Sequence, residues 1–549
     1  MSPGNTAMAD TPKPIDCDVL IIGSGPSGAV FARRAAEAGM SVVCLEQGDW
    51  VDYAKAISDR PGFELTASRD WQYVPTKRDN SGDFPISVDQ SDIVPLYWNG
   101  VGGSSISWAA NWMRNLPSDF RVRTLDGVAD DWPISYEDLM PHYARTEREF
   151  VVSGVAGDPM YPGQDELLPP VDLTKAGRLV AAAQNRLGWH WWPGTNAIAT
   201  VPRNGMEPCQ QRTACMWGCV EKAKASTDRT HWPALLGQGV RLVTNARATR
   251  IEIDRNGLAR GAVYVDRNTG KEHLAKAAIV VVAANGVGTP RLLLSSRRPG
   301  REDGIANSSG LVGRRLMLHP TAAVVGLFDA PLESYRGAWG QVAYTLQFYE
   351  TSRDRDFVRG SKWSLQPTGS PAQIARRWPW GDENQLWGES FHEEFARRFG
   401  RSVSWGIICE DLPDTENRIE LDTTATDDTG MPGVKIHYRT GENSKRMLKF
   451  MAERARESLV EAGAYRTVTA PQSRESGWHI LGTARMGDNP QDSVVDRHGR
   501  AHDIANLYIV DGSVWPTSAG VNPTATIAAF ASWSAAHVVA NRASQRMAS

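Results

Sequence analysis

A chain of 549 residues, 41% hydrophobic and 22% charged, has room for two or three ordinary domains or one large domain with insertions. Its net charge of −3, with both signs spread along the sequence, excludes a basic nucleic-acid surface and an acidic tail. No run approaches the roughly 18 apolar residues of a membrane span, and the opening MSPGNTAMADTPKPIDC lacks the cationic-then-apolar order of a secretory signal. Cytoplasmic residence is the expectation, with export beside a signal-bearing partner left open.

In chain order, Asp18-Val-Leu-Ile-Ile22 reads as a buried parallel strand leading into Gly23-Ser-Gly25-Pro-Ser-Gly28. A helical pattern from Ala29 to Ala38 stops at Gly39, and Ser41–Leu45 is a second strand ending at Glu46. This is a complete βαβ unit. Gly23 permits the tight turn, Gly25 lets backbone N–H groups approach a pyrophosphate, and Gly28 lets the helix pack close. Glu46 can accept from ribose hydroxyls. The alternative is a glycine-rich turn in an unrelated α/β fold.

Trp98 to Asn111 (WNGVGGSSISWAAN) is a second glycine-rich loop, suited to wrapping a flat cofactor or its phosphates. Cys209, Cys215 and Cys219 fall close together, unlike the scatter of a secreted disulfide scaffold. Val240–Asp254 and Ala278–Ala284 read as strands, the latter running into Asn285-Gly-Val-Gly-Thr-Pro290 and a helical RLLLSS. Strands of one sheet therefore lie at the start, middle and end of the chain. Residues 16–50, 96–115, 226–320 and 475–545 are expected to form a discontinuous dinucleotide-binding domain. Residues 51–95, 116–225 and 321–474, richer in Trp, Pro and charge, are expected to form a substrate-binding domain and insertions.

The last part carries the chemistry. GWHILGTARMG places His479 in a turn, Leu507–Val510 reads as a buried strand, and an apolar helix opens at Asn522-Pro523-Thr524. An imidazole and an amide on separate loops can take a proton from a substrate and hold the oxygen left behind.

Together, IIGSGPSG with Glu46, GVGGSS at 100–105, ANGVGTPRLL at 284–293 and the two C-terminal motifs resemble the glucose-methanol-choline (GMC) oxidoreductases. The resemblance implies an α/β architecture: a discontinuous Rossmann-like domain holding FAD, and a sheet-containing substrate domain. It implies oxidation of an alcohol by hydride transfer to flavin N5, with His479 as base and Asn522 as its partner. The expected cofactor contacts are Gly23, Gly25, Ser27, Gly28, Glu46, Gly102, Gly103, Ser104, Ser107, Ala248, Ala284, Asp511, Gly512, Asn522, Pro523 and Thr524. Backbone N–H groups at the helix opening can stabilise charge on the reduced ring. In members with covalent flavin the attaching histidine sits where this chain has Ser107, so the FAD is expected to be noncovalent. His319 and His231 are not placed to replace it, and His319 reads as a structural contact rather than a catalytic one.

The cysteine segment resembles the one that holds a three-iron (3Fe–4S) cluster in the sugar and polyol dehydrogenases of the family, which would pass electrons outward. Buried structural thiols and a disulfide are the alternatives. Trp363, Trp378, Trp380, Trp387 and Trp478 invite a sugar-stacking reading against the plainer one of core or loop aromatics; Trp478, beside His479, is the expected substrate contact. The branch most resembled oxidises pyranoses and gluconate, so a sugar or glycoside is the expected substrate, with oxygen or a quinone- or cytochrome-type carrier as acceptor. A non-sugar alcohol, a lyase on the same scaffold and a nicotinamide-dependent dehydrogenase are the competing readings.

Overall fold

The fold is taken from a computed structural model, which describes residues 14–55, 71–78, 82–161, 163–164, 166–376 and 386–542. Trp378 and Trp380 lie outside these residues.

The first strand, Ile15–Ile22, is buried along most of its length, as a continuous apolar run between two covered faces must be. It lies between Val42–Leu45 and Lys271–Val282, parallel to both. The sheet has seven strands. From one edge it runs Arg241–Val243, Val42–Leu45, Ile15–Ile22, Lys271–Val282, Ala259–Asp266 and Ala246–Ile253, and Leu507–Ile509 joins Lys271–Val282. The long strand serves two partners on one side: its first half pairs antiparallel with Ala259–Asp266, and Val280–Val282 pair parallel with Leu507–Ile509. Segments some five hundred residues apart thus share one sheet, as the scattered strand patterns imply.

Local chemistry moves several boundaries. The first helix spans Pro26–Glu37, because proline is preset for a first turn and lacks the N–H that would be orphaned there. The apolar run read at 240–254 is two strands, broken at Asn245, which adopts a left-handed φ of 52°. The helix after the long strand begins at Asn285, earlier than the RLLLSS pattern, with the Asn285 side chain accepting from the Val287 and Gly288 N–H groups.

The apolar C-terminal helix Thr524–Ala540 packs on Pro26–Glu37 and on Tyr136–Glu149. Ala525, Ala528, Ala529, Ala531 and Ala535 are wholly buried along it, so the backbones approach closely. A second sheet runs Arg466–Ala470, Thr321–Leu327, Ser402–Cys409, Ser361–Gln366, Ala343–Thr345 and Trp192–Pro193, antiparallel throughout. A small sheet joins Arg418–Thr426, Pro432–Tyr438 and Ile86–Ser91. Among the described residues, no helix is long and apolar enough to cross a membrane.

Candidate active site

The parallel strands of the first sheet end on one cleft. Ile22 leads to Gly23–Ser27, Leu45 to Glu46 and Gln47, Val282 to Ala283–Asn285, and Ile509 to Asp511 and Gly512, and all these following residues line it. A crevice beyond the carboxyl ends of parallel strands is where open α/β sheets bind ligands. The N-termini of the helices Pro26–Glu37, Asn285–Ser295 and Thr524–Ala540 also open onto it. The first and last have neither a side-chain cap nor an acid in the first turn. Their orphan N–H groups and positive dipole ends suit an anionic ligand. The cleft is lined from both glycine loops, all three helix openings and the C-terminal motif.

The residues present fit a dinucleotide. A Cβ on Gly28 would lie 2.0 Å from the Gly23 carbonyl oxygen, so only glycine lets the helix close on the turn. Gly103, at φ 53°, brings the second glycine loop against the first: a Cβ there would sit 2.8 Å from the Gly25 Cα. Glu46 Oε2 accepts from the Ser24 N–H (3.0 Å) and hydroxyl (2.6 Å), and Oε1 from the Gly48 N–H (3.1 Å). Burial pushes its carboxyl up. Asp511 accepts from the Thr289 hydroxyl and from the Ser513 N–H, which ties the end of the strand Leu507–Ile509 to the helix Asn285–Ser295.

Of the expected contacts, Gly23, Gly25, Ser27, Glu46, Gly103, Ser104, Ala248, Ala284, Asp511, Gly512, Pro523 and Thr524 line the cleft, as do Trp478 and His479. Gly28 and Gly102 stand behind it as turn and packing residues. Ser107 is wholly buried, with its hydroxyl unpaired among the described residues, and does not line the cleft. Arg247 and Gln47, which the sequence reading passes over, are also cleft residues. The Arg247 guanidinium is committed to Asp427 and Asp428.

At the far end of the cleft the histidine is not alone. His479 is half-buried; its Nδ1 is 2.8 Å from His319 Nδ1 and its Nε2 is 3.3 Å from Asn522 Nδ2. His319 Nε2 meets the Ser518 carbonyl oxygen at 3.1 Å, and Lys362 Nζ donates to Asn522 Oδ1 at 2.8 Å. A carbonyl only accepts, so His319 Nε2 carries the proton. Burial holds His319 neutral, down to about 4, so its Nδ1 accepts and His479 Nδ1 must donate. His479 is itself held well below the usual imidazole value by burial, then by His319 and Lys362. Its Nε2 is therefore unprotonated, its lone pair facing the Asn522 amide N–H at 3.3 Å, the state a general base requires.

His319 is thus a structural contact, as read, but the group it contacts is the proposed base. Lys362 was missed. In SKWSLQ it alternates with Trp363 and Leu365, and a lysine on the polar face of such a strand reads as solvent-exposed; here it is wholly buried.

The tryptophans divide. Trp478 lines the cleft and packs on Tyr73 at 4.7 Å, whereas Trp363 is core, with its N–H on the Ser361 hydroxyl, and Trp387 is 80% exposed.

The cysteines do not behave as cluster ligands. Cys209 is half-buried, Cys215 and Cys219 are buried, and all are free thiols packed with the main core. Among the described residues, no three His, Cys, Asp or Glu side chains are placed to hold a metal ion. Burial pushes the Cys209 and Cys215 thiols up to about 12 and about 11, away from thiolate. Lys224 instead ties this segment to the second glycine loop, its ammonium donating to the carbonyls of Ile106, Trp108 and Cys215. Among the described residues nothing supports the iron–sulfur expectation, and the segment braces the loop.

Family models described as GMC oxidoreductase match residues 173–321 and 413–531, and one described as an NAD(P)-binding Rossmann-like domain matches 21–51. A 2-methyl-1,2-propanediol dehydrogenase of Mycolicibacterium austroafricanum is 39% identical over 94% of this chain and 93% of its own length. The chain belongs to the GMC oxidoreductase family. A 6'''-hydroxyparomomycin C oxidase of Streptomyces lividus is 31% identical over 96% of this chain and 92% of that protein. The crystal structure of pyridoxine 4-oxidase from Mesorbium loti matches the fold with a TM-score of 0.64 at 18% identity, over 95% of this chain and 99% of that one. Membership makes this GMC protein an oxidoreductase acting on alcohols, and with the Rossmann-like domain it implies FAD.

Proposed function

We propose that the protein oxidises a secondary or primary alcohol of a polyhydroxylated substrate, of the sugar or glycoside class, to a carbonyl, using noncovalently held FAD. The observation that carries the proposal is the neutral His479, its Nε2 lone pair at the end of the dinucleotide cleft and the Asn522 amide beside it. FAD, when bound, supplies the hydride acceptor. His479 Nε2 takes the hydroxyl proton, and the Asn522 N–H donates to the oxygen as negative charge grows on it. The glycine turns and uncapped helix ends bind the pyrophosphate, and Ser107, in place of a histidine, offers no covalent attachment point. Trp478, beside the base, is the proposed apolar face for a substrate ring.

The sugar assignment is supported by the relative named for an aminoglycoside. The relative named for 2-methyl-1,2-propanediol favours a second reading, a small vicinal diol. The test is anaerobic flavin bleaching against free sugars, glycosides, polyols and small diols. Bleaching by sugars or glycosides is expected, and bleaching by small diols alone would move the assignment to the second reading. Absence of bleaching by any alcohol would overturn both. Peroxide formed aerobically without dye would assign oxygen as acceptor; turnover only with a quinone or dye would assign a carrier.

A further inference from the structure

Two lysines are wholly buried near the cofactor loops, and their surroundings differ. Lys224 spends its ammonium on three backbone carbonyls. Lys362, on Ser361–Gln366 opposite Ile408, has one acceptor for its Nζ, the Asn522 amide oxygen. Among the described residues no carboxylate lies within ion-pair distance of it. The nearby acids are committed elsewhere: Glu410 to Arg359, and Asp411 to the Leu318 N–H and the Tyr438 hydroxyl. A buried amine with a single partner is a poor way to stabilise a fold. Its one bond is made to the amide proposed to hold the reacting oxygen.

Resting on the alcohol-oxidation reading, we propose that Lys362 is a positioning residue that fixes the orientation of the Asn522 amide, so that its N–H and not its C=O meets the substrate oxygen. An asparagine amide fits its envelope in two orientations half a turn apart. The flipped one would set Oδ1 against the His479 Nε2 lone pair, acceptor against acceptor. It would also leave Lys362 facing an NH₂ and replace the donor for the developing alkoxide with a repelling oxygen. Lys362 makes only the productive orientation fully bonded. The same amine opposes a proton on His479. The titratable groups facing that imidazole are His319, from the segment entering Thr321–Leu327, and Lys362, from Ser361–Gln366.

The experiment is a double-mutant cycle on the holoenzyme, reading the limiting rate of anaerobic flavin reduction for wild type, Lys362→Met, Asn522→Ala and the pair. Lys362→Met is expected to slow reduction by about 10–100-fold, less than the roughly 100–1,000-fold of losing an oxyanion donor outright. Apparent substrate affinity should change little, and FAD content and Tm should not fall. On the Asn522→Ala background the same change should cost less than about twofold, because the two residues act as one unit.

Full multiplication of the two effects, or a Lys362→Met variant as fast as wild type, would overturn the inference while leaving the reaction intact. A wild type that no alcohol bleaches would remove the reaction reading and the inference with it. Loss of FAD from both Lys362→Met and Lys362→Gln would assign Lys362 to the fold and also overturn it.

Discussion

The first turn of the dinucleotide cleft and the histidine site at its far end are built on opposite plans. The turn is made of backbone: Gly23, Gly25 and Gly28 lie within six residues, and their work is done by the absence of side chains. The histidine site is made of side chains from four distant places: His319, Lys362, His479 and Asn522. In the first plan Gly23 and Gly28 tolerate no added atom, and the second tolerates no lost hydrogen bond. Binding the cofactor and using it are therefore separable by mutation.

The largest effect expected is on the turn. Gly28→Val puts a branched side chain where even a Cβ meets the Gly23 oxygen at 2.0 Å. The helix must leave the strand, and the purified variant should carry no flavin by its absorbance. Full flavin content would show that the close packing is not what holds the site.

His479→Ala tests the other plan. It should stay yellow yet lose about 100–10,000-fold in the rate of flavin reduction by substrate, the span a general base supplies. Reduction at the wild-type rate would end the assignment. His319→Leu should be milder, slowing reduction by about 10–100-fold, below the span of losing the base itself. It removes the acceptor that fixes the proton on His479 Nδ1 and leaves that buried N–H unpaired. The pH profile sharpens the point. His479 is held neutral well below the usual imidazole value, so wild-type kcat/KM should stay flat as pH falls through 6.5. A bell whose acid limb sits at 6.5 would contradict the buried, doubly bonded imidazole.

The two plans also explain what could be read in advance. The glycine turn and its closing acid are contiguous, so spacing alone gives them a chemical sense. His479 and Asn522 are visible because each lies in a short motif at the cleft. Lys362 and the bond from His319 are not, because their meaning comes from the seam between two sheets. Lys362 sits on a strand whose alternation looks like an ordinary wet face, and His319 becomes informative only when His479 is 2.8 Å away. The split at Asn245 was hidden for a simpler reason. Its left-handed turn falls inside a run that reads as strand on both sides.

The smallest effect expected is at the cysteines, which turn the comparison around. Cys209, Cys215 and Cys219 are clustered in sequence, as the glycines are, and their spacing looks like a site. They pack against the core as free thiols, and the polar bond that matters in their segment, from Lys224 to the Cys215 carbonyl, uses backbone. Cys215→Ala keeps that carbonyl and removes one buried sulfur. Flavin content and reduction rate should then match wild type, with a stability loss of about 1 kcal/mol, near that of a small buried truncation. A residue whose side chain carried electrons could not be lost so cheaply. A collapse of activity with iron leaving the protein would return the segment to a redox role. Closeness in sequence marks a site only where the backbone itself does the binding; where side chains do it, the fold decides which of them meet.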